Sequence, residues 1–516
     1  MIRKTSGPSR EPAGWLVLLG FALGTVLLYF PVLGNGFLTD DYAALYRLLI
    51  EKRVIYQDMM RPLIDVSFYL NWFFFKLHPT GYYLFNFSVH ALVCYMVYRV
   101  ALDLPLFAAS VGQRVGFALT AGVLFLFYPF HNEGVVWLSG RLSSMAALFG
   151  LLAIHISLTR RGPWGTFIAV LLWFTGLFAY ESIIVLPALV LLLEWICFRD
   201  WARTVRSGMG WMAAGILWLV MRFFVAGGLF PTYVRGGVES DRGLLRFAKV
   251  LGRCFLPPTD NILLLEGLFI GLAIAVLLLH ILFWRRLARV RRVGVERRKW
   301  PLLGLEVGFF IALLPAIAFG VSTRTSEGDR LLYFPSCFLC LLVSALLFFF
   351  FPRRRWRLLV CAVVALASVF FIEGNNQKWV FASSTAAAVL DTVRAAPGRV
   401  VLVDAPDEWE GAFIFRNNFE QMLRVNGIDA GKVVVAHFLL RKEYLPVGGR
   451  IVPERRDSGV FVYPSTLVVR EGERFRVSGL PGSARMPGIA ETFSAGADRV
   501  YYWDKFGLKP LILDQQ

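Results

Sequence analysis

Apolar runs of about twenty residues recur through the first three-quarters of this chain of 516 residues, and no other feature constrains its fold as tightly. A backbone inside hydrocarbon has no water to satisfy its N–H and C=O groups. A run of roughly 17–25 apolar residues therefore crosses a bilayer as a helix. Eleven such runs are readable, near 14–36, 81–102, 115–131, 135–158, 164–179, 182–198, 209–227, 261–284, 303–322, 331–351 and 357–373. With 57% hydrophobic and only 17% charged residues the chain falls outside the soluble globular class. The basic N-terminus MIRKTSGPSREP leads into a long run with no small-residue cleavage site, so it reads as a retained first helix.

Lys and Arg accumulate in cytoplasmic loops. With the N-terminus inside, the inner loops are 100–114, 159–163, 198–208, 284–300 and 351–357, and each carries Arg. The opposite loops FHNEG, YES and TRTSEGDR are short and mixed in sign. The prediction is a polytopic α-helical membrane protein of about 11 transmembrane helices, residues 1–373, with a C-terminal extracytoplasmic α/β domain, residues 374–516. In that tail RVVLVDAP (399–406) reads as a strand, 408–425 as a helix, and TLVVREGERFRV (466–477) as a hairpin around Glu471 and Gly472.

Residues 374–516 hold 18 Lys plus Arg against 16 Asp plus Glu, so nearly all of the +18 formal charge lies in the membrane half. Loop topology and anionic lipid account for that excess, and no nucleic-acid partner is inferred. Five of the six cysteines lie in or beside apolar runs, and none lies in the tail. Cys337 and Cys340 form a C-x-x-C inside a hydrophobic helix, which reads as packing; no disulfide framework or zinc spacing is present.

Charges near hydrocarbon are costly and usually face a polar cavity or a partner. Asp40, Asp41, Arg61, Asp65, His78, His131, Glu133, Arg141, Glu181, Arg222, Arg324, Asp329 and Arg330 all fall at or near the outer ends of their runs. For each alone an interfacial ion pair or cap suffices. Together they suggest a polar cavity that opens outward, roofed by the tail. Asp40 and Asp41 are neighbours whose side chains diverge, so one can act as a general base while the other caps the helix that follows. Within DRGLLRFAKVLGRC, Arg242, Arg246, Lys249 and Arg253 recur at spacings of 4, 3 and 4, one helical face. That segment reads as lying on the outer surface, against anionic headgroups or a lipid-linked phosphate.

These residues resemble the GT-C superfamily of membrane glycosyltransferases, and within it the TMTC-like protein O-mannosyltransferase relatives. FLTDDY (37–42) resembles the family's acidic motif after the first span. RPLIDVSFYLNW (61–72) and HPTGYYLFNFSVHAL (78–92) resemble the next two segments, with Tyr83 where His is usual. FYPFHNEGVVWLSGRLSSMAALF (127–149), AYESIIVLPALVLLLEW (179–195), DRLLYFPS (329–336) and NNQKWVFASSTAAAVLDTVRAAP (375–397) follow in register. After residue 397 the likeness ends: the relatives continue into helical TPR repeats, and here an α/β-like tail follows.

The resemblance implies a GT-C-like catalytic module that moves a sugar from a polyprenyl-phosphate carrier to an acceptor hydroxyl, with inversion. It makes Asp40 the base and Asp41 its motif neighbour. His131, Glu133 and Arg141 shape the sugar and acceptor cavity; Arg330 and Tyr333, helped by Arg222 or the cationic stripe through Arg246, hold the donor phosphate; Arg61 and Glu181 complete the substrate-binding set. No cofactor is required, although a divalent metal beside Asp40, Asp41 and Glu133 is possible. Partners are the polyprenyl-phosphate-linked sugar, an extracytoplasmic protein or glycan acceptor and membrane lipids. The location implied is a bacterial inner membrane with the N-terminus in the cytoplasm. A lipid-linked oligosaccharide ligase or polymerase, and a transporter or flippase of lipid-linked sugars, are the alternatives; the last calls for polar residues along the whole depth.

Overall fold

A computed structural model describes residues 12–512 apart from 57–59, 107–110, 161, 229–242, most of 260–292, 440–449, 451–452, 457–458, 463–465, 472–473, 480–490, 494–497 and 506. The chain is mostly helical, with a strand-containing C-terminal region. Among the described residues, eight helices are long and apolar enough to cross a membrane: Gly14–Gly34, Pro79–Asp103, Arg141–Thr159, Glu181–Phe198, Trp201–Val225, Trp300–Phe319, Asp329–Phe350 and Arg354–Ala395. They coincide with eight of the eleven apolar runs. Two shorter apolar helices, Val111–Leu126 and Pro163–Leu177, match two more. Of the run 261–284 only scattered residues are described.

The chain folds into two compact units. The first comprises Met1–Phe30, Ile55–Lys76 and Gly81–Asn375; the second comprises Pro31–Val54, Leu77–Thr80 and Asn376–Gln516.

In the first unit, helix starts follow local chemistry. Proline opens Pro62–Phe75 and Pro163–Leu177, where the missing N–H is one the helix leaves unbonded anyway. Trp201–Ala226 begins at Asp200, whose side chain accepts the Arg203 N–H at 3.0 Å, and ends at Gly227 in the left-handed region, φ 65°. Its core holds an aromatic cluster: the His131 ring lies 4.5 Å from Tyr333, 4.4 Å from Phe125 and 4.9 Å from Tyr128, centroid to centroid.

In the second unit, a four-stranded sheet runs in the order Leu508–Pro510, Arg499–Trp503, Val400–Leu402, Val433–Val435. Val400–Leu402 is parallel to both neighbours, which suits a strand of three apolar residues buried on both faces. A five-stranded antiparallel sheet contains the expected hairpin, Thr466–Glu471 with Arg474–Gly479, Glu471 opposite Arg474. Val401, Val403, Leu439, Val468, Val500 and Trp503 form the core. The helix expected over 408–425 is shorter. Glu408–Trp409 pairs antiparallel with Ala412–Phe413, and only Phe419–Val425 is helical. Glu410 and Gly411 at φ 48° and 95° turn the chain into that hairpin, which helical periodicity alone cannot reveal.

Candidate functional site

Asp40 and Asp41 open the helix Asp40–Leu49 in the second unit. Asp41 is buried, and its Oδ2 accepts the N–H of Leu38 at 3.0 Å while its own N–H donates to Leu38 O at 2.9 Å. It braces the turn that enters the helix. Asp40 is half-buried and faces elsewhere: its Oδ1 accepts the side-chain amide of Asn418 at 2.8 Å and that of Asn417 at 3.4 Å. Thr39, just before it, sits at φ 39°, ψ −110°, an outlier for a β-branched residue. Two contacts of 3.3 Å hold it there, Thr39 Oγ1 to Asn417 O and Asn417 N–H to Thr39 Oγ1. Tyr42 shares a side-chain hydrogen bond with Asn426, and burial pushes its phenol up to about 12.

The first unit carries the cations. Gly328, at φ 88°, turns the chain so that Asp329 and Arg330 open a short helical turn. Arg330 pairs with buried Glu133 through its guanidinium, and its N–H donates to Glu133 Oε2 at 2.9 Å. Burial raises the Glu133 carboxyl above its ordinary range, against the pull of Arg330. Arg330 retains 25% side-chain exposure and lies over the Trp137 ring at 5.5 Å. Beside it Asp329 pairs with Arg253 at 2.5 Å, both wholly buried.

Arg253 corrects the surface reading of the cationic stripe. The helix Leu244–Arg253 forms as the spacing requires, but its last arginine turns inward. It donates to Ser322 O at 2.9 Å and to Leu256 O, with Phe130 under its guanidinium at 4.8 Å. Arg246 is only partly buried, one Nη 3.4 Å from Ala318 O. Arg242 lies outside the described residues.

Arg61 clasps Glu181 with two bonds, Nη2 to Oε1 at 2.7 Å and Nε to Oε2 at 3.2 Å, and Arg222 approaches the same Oε1 at 3.8 Å. Arg141 is fully buried: it donates to Asn71 Oδ1 at 2.5 Å and to Leu138 O at 2.9 Å, and lies against Phe68 at 4.5 Å. These bonds tie Arg141 to the helix that carries Asn71 and to Leu138. Tyr333 is likewise buried, its hydroxyl 2.6 Å from His90 Nδ1. His131 Nε2 bonds Ser336 Oγ at 2.8 Å, and its Nδ1 has no hydrogen-bond partner among the described residues.

Asn71, Asn417 and Asn418 were not legible as site residues, and Arg253 and Asp329, both singled out in the sequence, were not legible as a pair. Asn417-Asn418 is a turn-prone dipeptide, but nothing in the sequence links it to Asp40. Among the described residues no group of three or more His, Cys, Asp and Glu converges to hold a metal ion. A cavity of about 660 Å³ in the second unit is lined by Thr392, Asp498, Arg499 and Tyr501 among others, none of them a residue that the sequence singled out.

No family model matches the chain. Over 156 residues it is 33% identical to the Xenopus laevis protein O-mannosyl-transferase tmtc2, covering 27% of this chain and 18% of that protein. It is 35% identical over 111 residues to the Drosophila melanogaster protein O-mannosyl-transferase Tmtc1, 21% of this chain and 12% of that protein. With the human protein O-mannosyl-transferase TMTC3 it shares 33% identity over 104 residues, 20% and 10% respectively. The chain thus spans less than a fifth of the length of the curated relatives it matches. A membrane-helical chain with these matches is similar in sequence to the TMTC-family protein O-mannosyltransferases of the GT-C superfamily.

Proposed function

We propose that the chain is an inverting glycosyltransferase that moves mannose from a polyprenyl-phosphate carrier to a hydroxyl of an extracytoplasmic protein, with Asp40 as general base. The names of the relatives support the sugar and the acceptor class. The observation that carries the residue assignment is the division of labour within the acidic motif. Asp41 is engaged with the backbone of Leu38, whereas Asp40 is half-buried and oriented by amide donors, an arrangement that suits a carboxylate meant to accept a proton.

In the proposed step the acceptor oxygen attacks the anomeric carbon from the face opposite the phosphate. The new C–O bond forms as the bond to the phosphate oxygen breaks. The hydroxyl proton passes to Asp40 and the leaving electron pair stays on the phosphate. Phosphate is a good leaving group, so the protein's task is to orient the alcohol and stabilise the growing negative charge. Arg330, partly exposed, and Arg246 are the cations we assign to the phosphate. Arginine suits that role because it stays charged and binds oxygen atoms in pairs. No step is assigned to a metal. Arg61, Glu181, Arg222, His131 and Glu133 are proposed as substrate-binding residues.

The test is transfer from radiolabelled polyprenyl-phosphate mannose into protein by membranes carrying the full chain. Asp40→Asn is expected to abolish transfer while the protein still melts cooperatively in detergent. Wild-type turnover in that variant removes Asp40 from the mechanism.

A further inference from the structure

We infer that Asn418 is a positioning residue for Asp40, which makes the 404–418 loop of the second unit a working part of the site. The inference rests on the reading of Asp40 as the base.

Its starting point is a cap that is not made. Asn418 stands at the N-cap of Phe419–Val425, where Asn normally accepts a helix N–H, yet its side chain makes no cap hydrogen bond. Its amide nitrogen instead donates to Asp40 Oδ1 at 2.8 Å. The backbone at φ 63°, in the left-handed region that Asn tolerates, accompanies this diversion.

The other side of the contact has the same form. Thr39, the N-cap of Asp40–Leu49, also makes no side-chain cap bond and holds a positive φ. Two helix starts that both forgo their caps are tied to each other, Thr39 to Asn417 and Asp40 to Asn418. Strained, uncapped backbone of this kind persists only where surrounding structure enforces it. Here Arg416 supplies the anchor: it bonds Asp407 Oδ2 at 3.0 Å, lies 4.0 Å from Glu408 and sits over the Phe413 ring at 4.5 Å. Ile414 and Phe415 donate their N–H groups to Asp407 O at 3.1 and 3.2 Å, so the loop is fixed immediately before the two asparagines.

The chemical effect follows from the donors. Amide N–H groups on a carboxylate favour its ionised form, so Asn418 keeps Asp40 deprotonated and fixes its orientation. The residues after 397, where the likeness to TMTC relatives ends, thereby acquire a role in the reaction.

The experiment uses the full chain in detergent and in membranes. Asn418→Gly keeps the left-handed backbone and removes the donor; Asn418→Asp keeps the shape and sets a second carboxylate beside the first. Carbodiimide labelling of the Asp40-containing peptide across pH, read by mass spectrometry, reports the protonation of Asp40 without needing turnover. The labelling midpoint is expected to rise by about one pH unit in Asn418→Gly and further in Asn418→Asp. In the mannose-transfer assay the acid limb of kcat/KM moves up by the same amount, and kcat falls about tenfold with donor KM little changed. Glu420→Ala, on the exposed side of the same short helix, leaves both unchanged. An unmoved midpoint in both Asn418 variants overturns the inference, whatever the activity. A shifted midpoint in a protein whose Asp40→Asn variant still turns over sinks the base assignment instead.

Discussion

Arg253 Nη2 lies 2.5 Å from Asp329 Oδ1 with neither side chain exposed beyond 2%. A buried pair of this kind is held by geometry: each ion has lost its water, and each compensates the other. Truncating one partner leaves an uncompensated charge and costs roughly 3–5 kcal/mol. Arg253→Leu and Asp329→Leu are each expected to lower the melting temperature in detergent sharply. The double change recovers part of the loss, since it also strands the carbonyls of Ser322 and Leu256. Additive single losses in a thermal-shift series would show that the two groups do not act as a pair.

Asp41 and Asp40 separate by phenotype. Asp41 is buried and accepts the Leu38 N–H, so Asp41→Asn weakens that acceptor and Asp41→Ala removes it, at about 1–2 kcal/mol. The expected result for Asp41→Ala is a lower melting temperature with transfer by the surviving folded protein largely intact. For Asp40→Asn the pattern reverses. If Asp41→Ala melts like wild type but loses transfer, the two carboxylates have been assigned the wrong way round.

The apolar runs were readable because length and hydropathy act locally, and bilayer physics leaves a run of that kind one conformation. The charges near the ends of those runs were readable for a similar reason: cost makes them conspicuous. Their partners were not. Arg253 reads in sequence as the end of a surface stripe, and only the Gly328 turn that delivers Asp329 explains why it is buried. Arg141 meets Asn71 and Tyr333 meets His90 across long stretches of chain, contacts that no local pattern shows. Asn418 meets Asp40 across 378 positions of chain, and no periodicity encodes such a contact.

Glu181 holds Arg61 in a two-bond clasp and faces Arg222 from the same oxygen. Arg61→Lys keeps the charge but offers no fork to match the two oxygens, so it is expected to cost about 1–2 kcal/mol in stability. Glu181→Gln is worse, because it sets two guanidinium groups against each other. A double-mutant cycle on Arg61→Ala and Glu181→Ala should return a coupling of about 1–3 kcal/mol by denaturant or thermal melts. A coupling near zero reduces the clasp to a surface contact.

Glu133 yields a pH dependence of defined sign. Burial raises its carboxyl in the folded protein above the unfolded value near 4.3, although Arg330 opposes the shift. A folded state with the higher pKa binds the proton more tightly, so this group adds stability as pH falls through the folded pKa and loses that contribution as pH rises past it. Glu133→Gln has no such proton to bind. The melting-temperature difference, wild type minus Glu133→Gln, should therefore become more positive as pH is lowered from 8 toward 4.5. A difference that instead shrinks on acidification would mean that the pairing with Arg330 outweighs burial and the carboxyl titrates low.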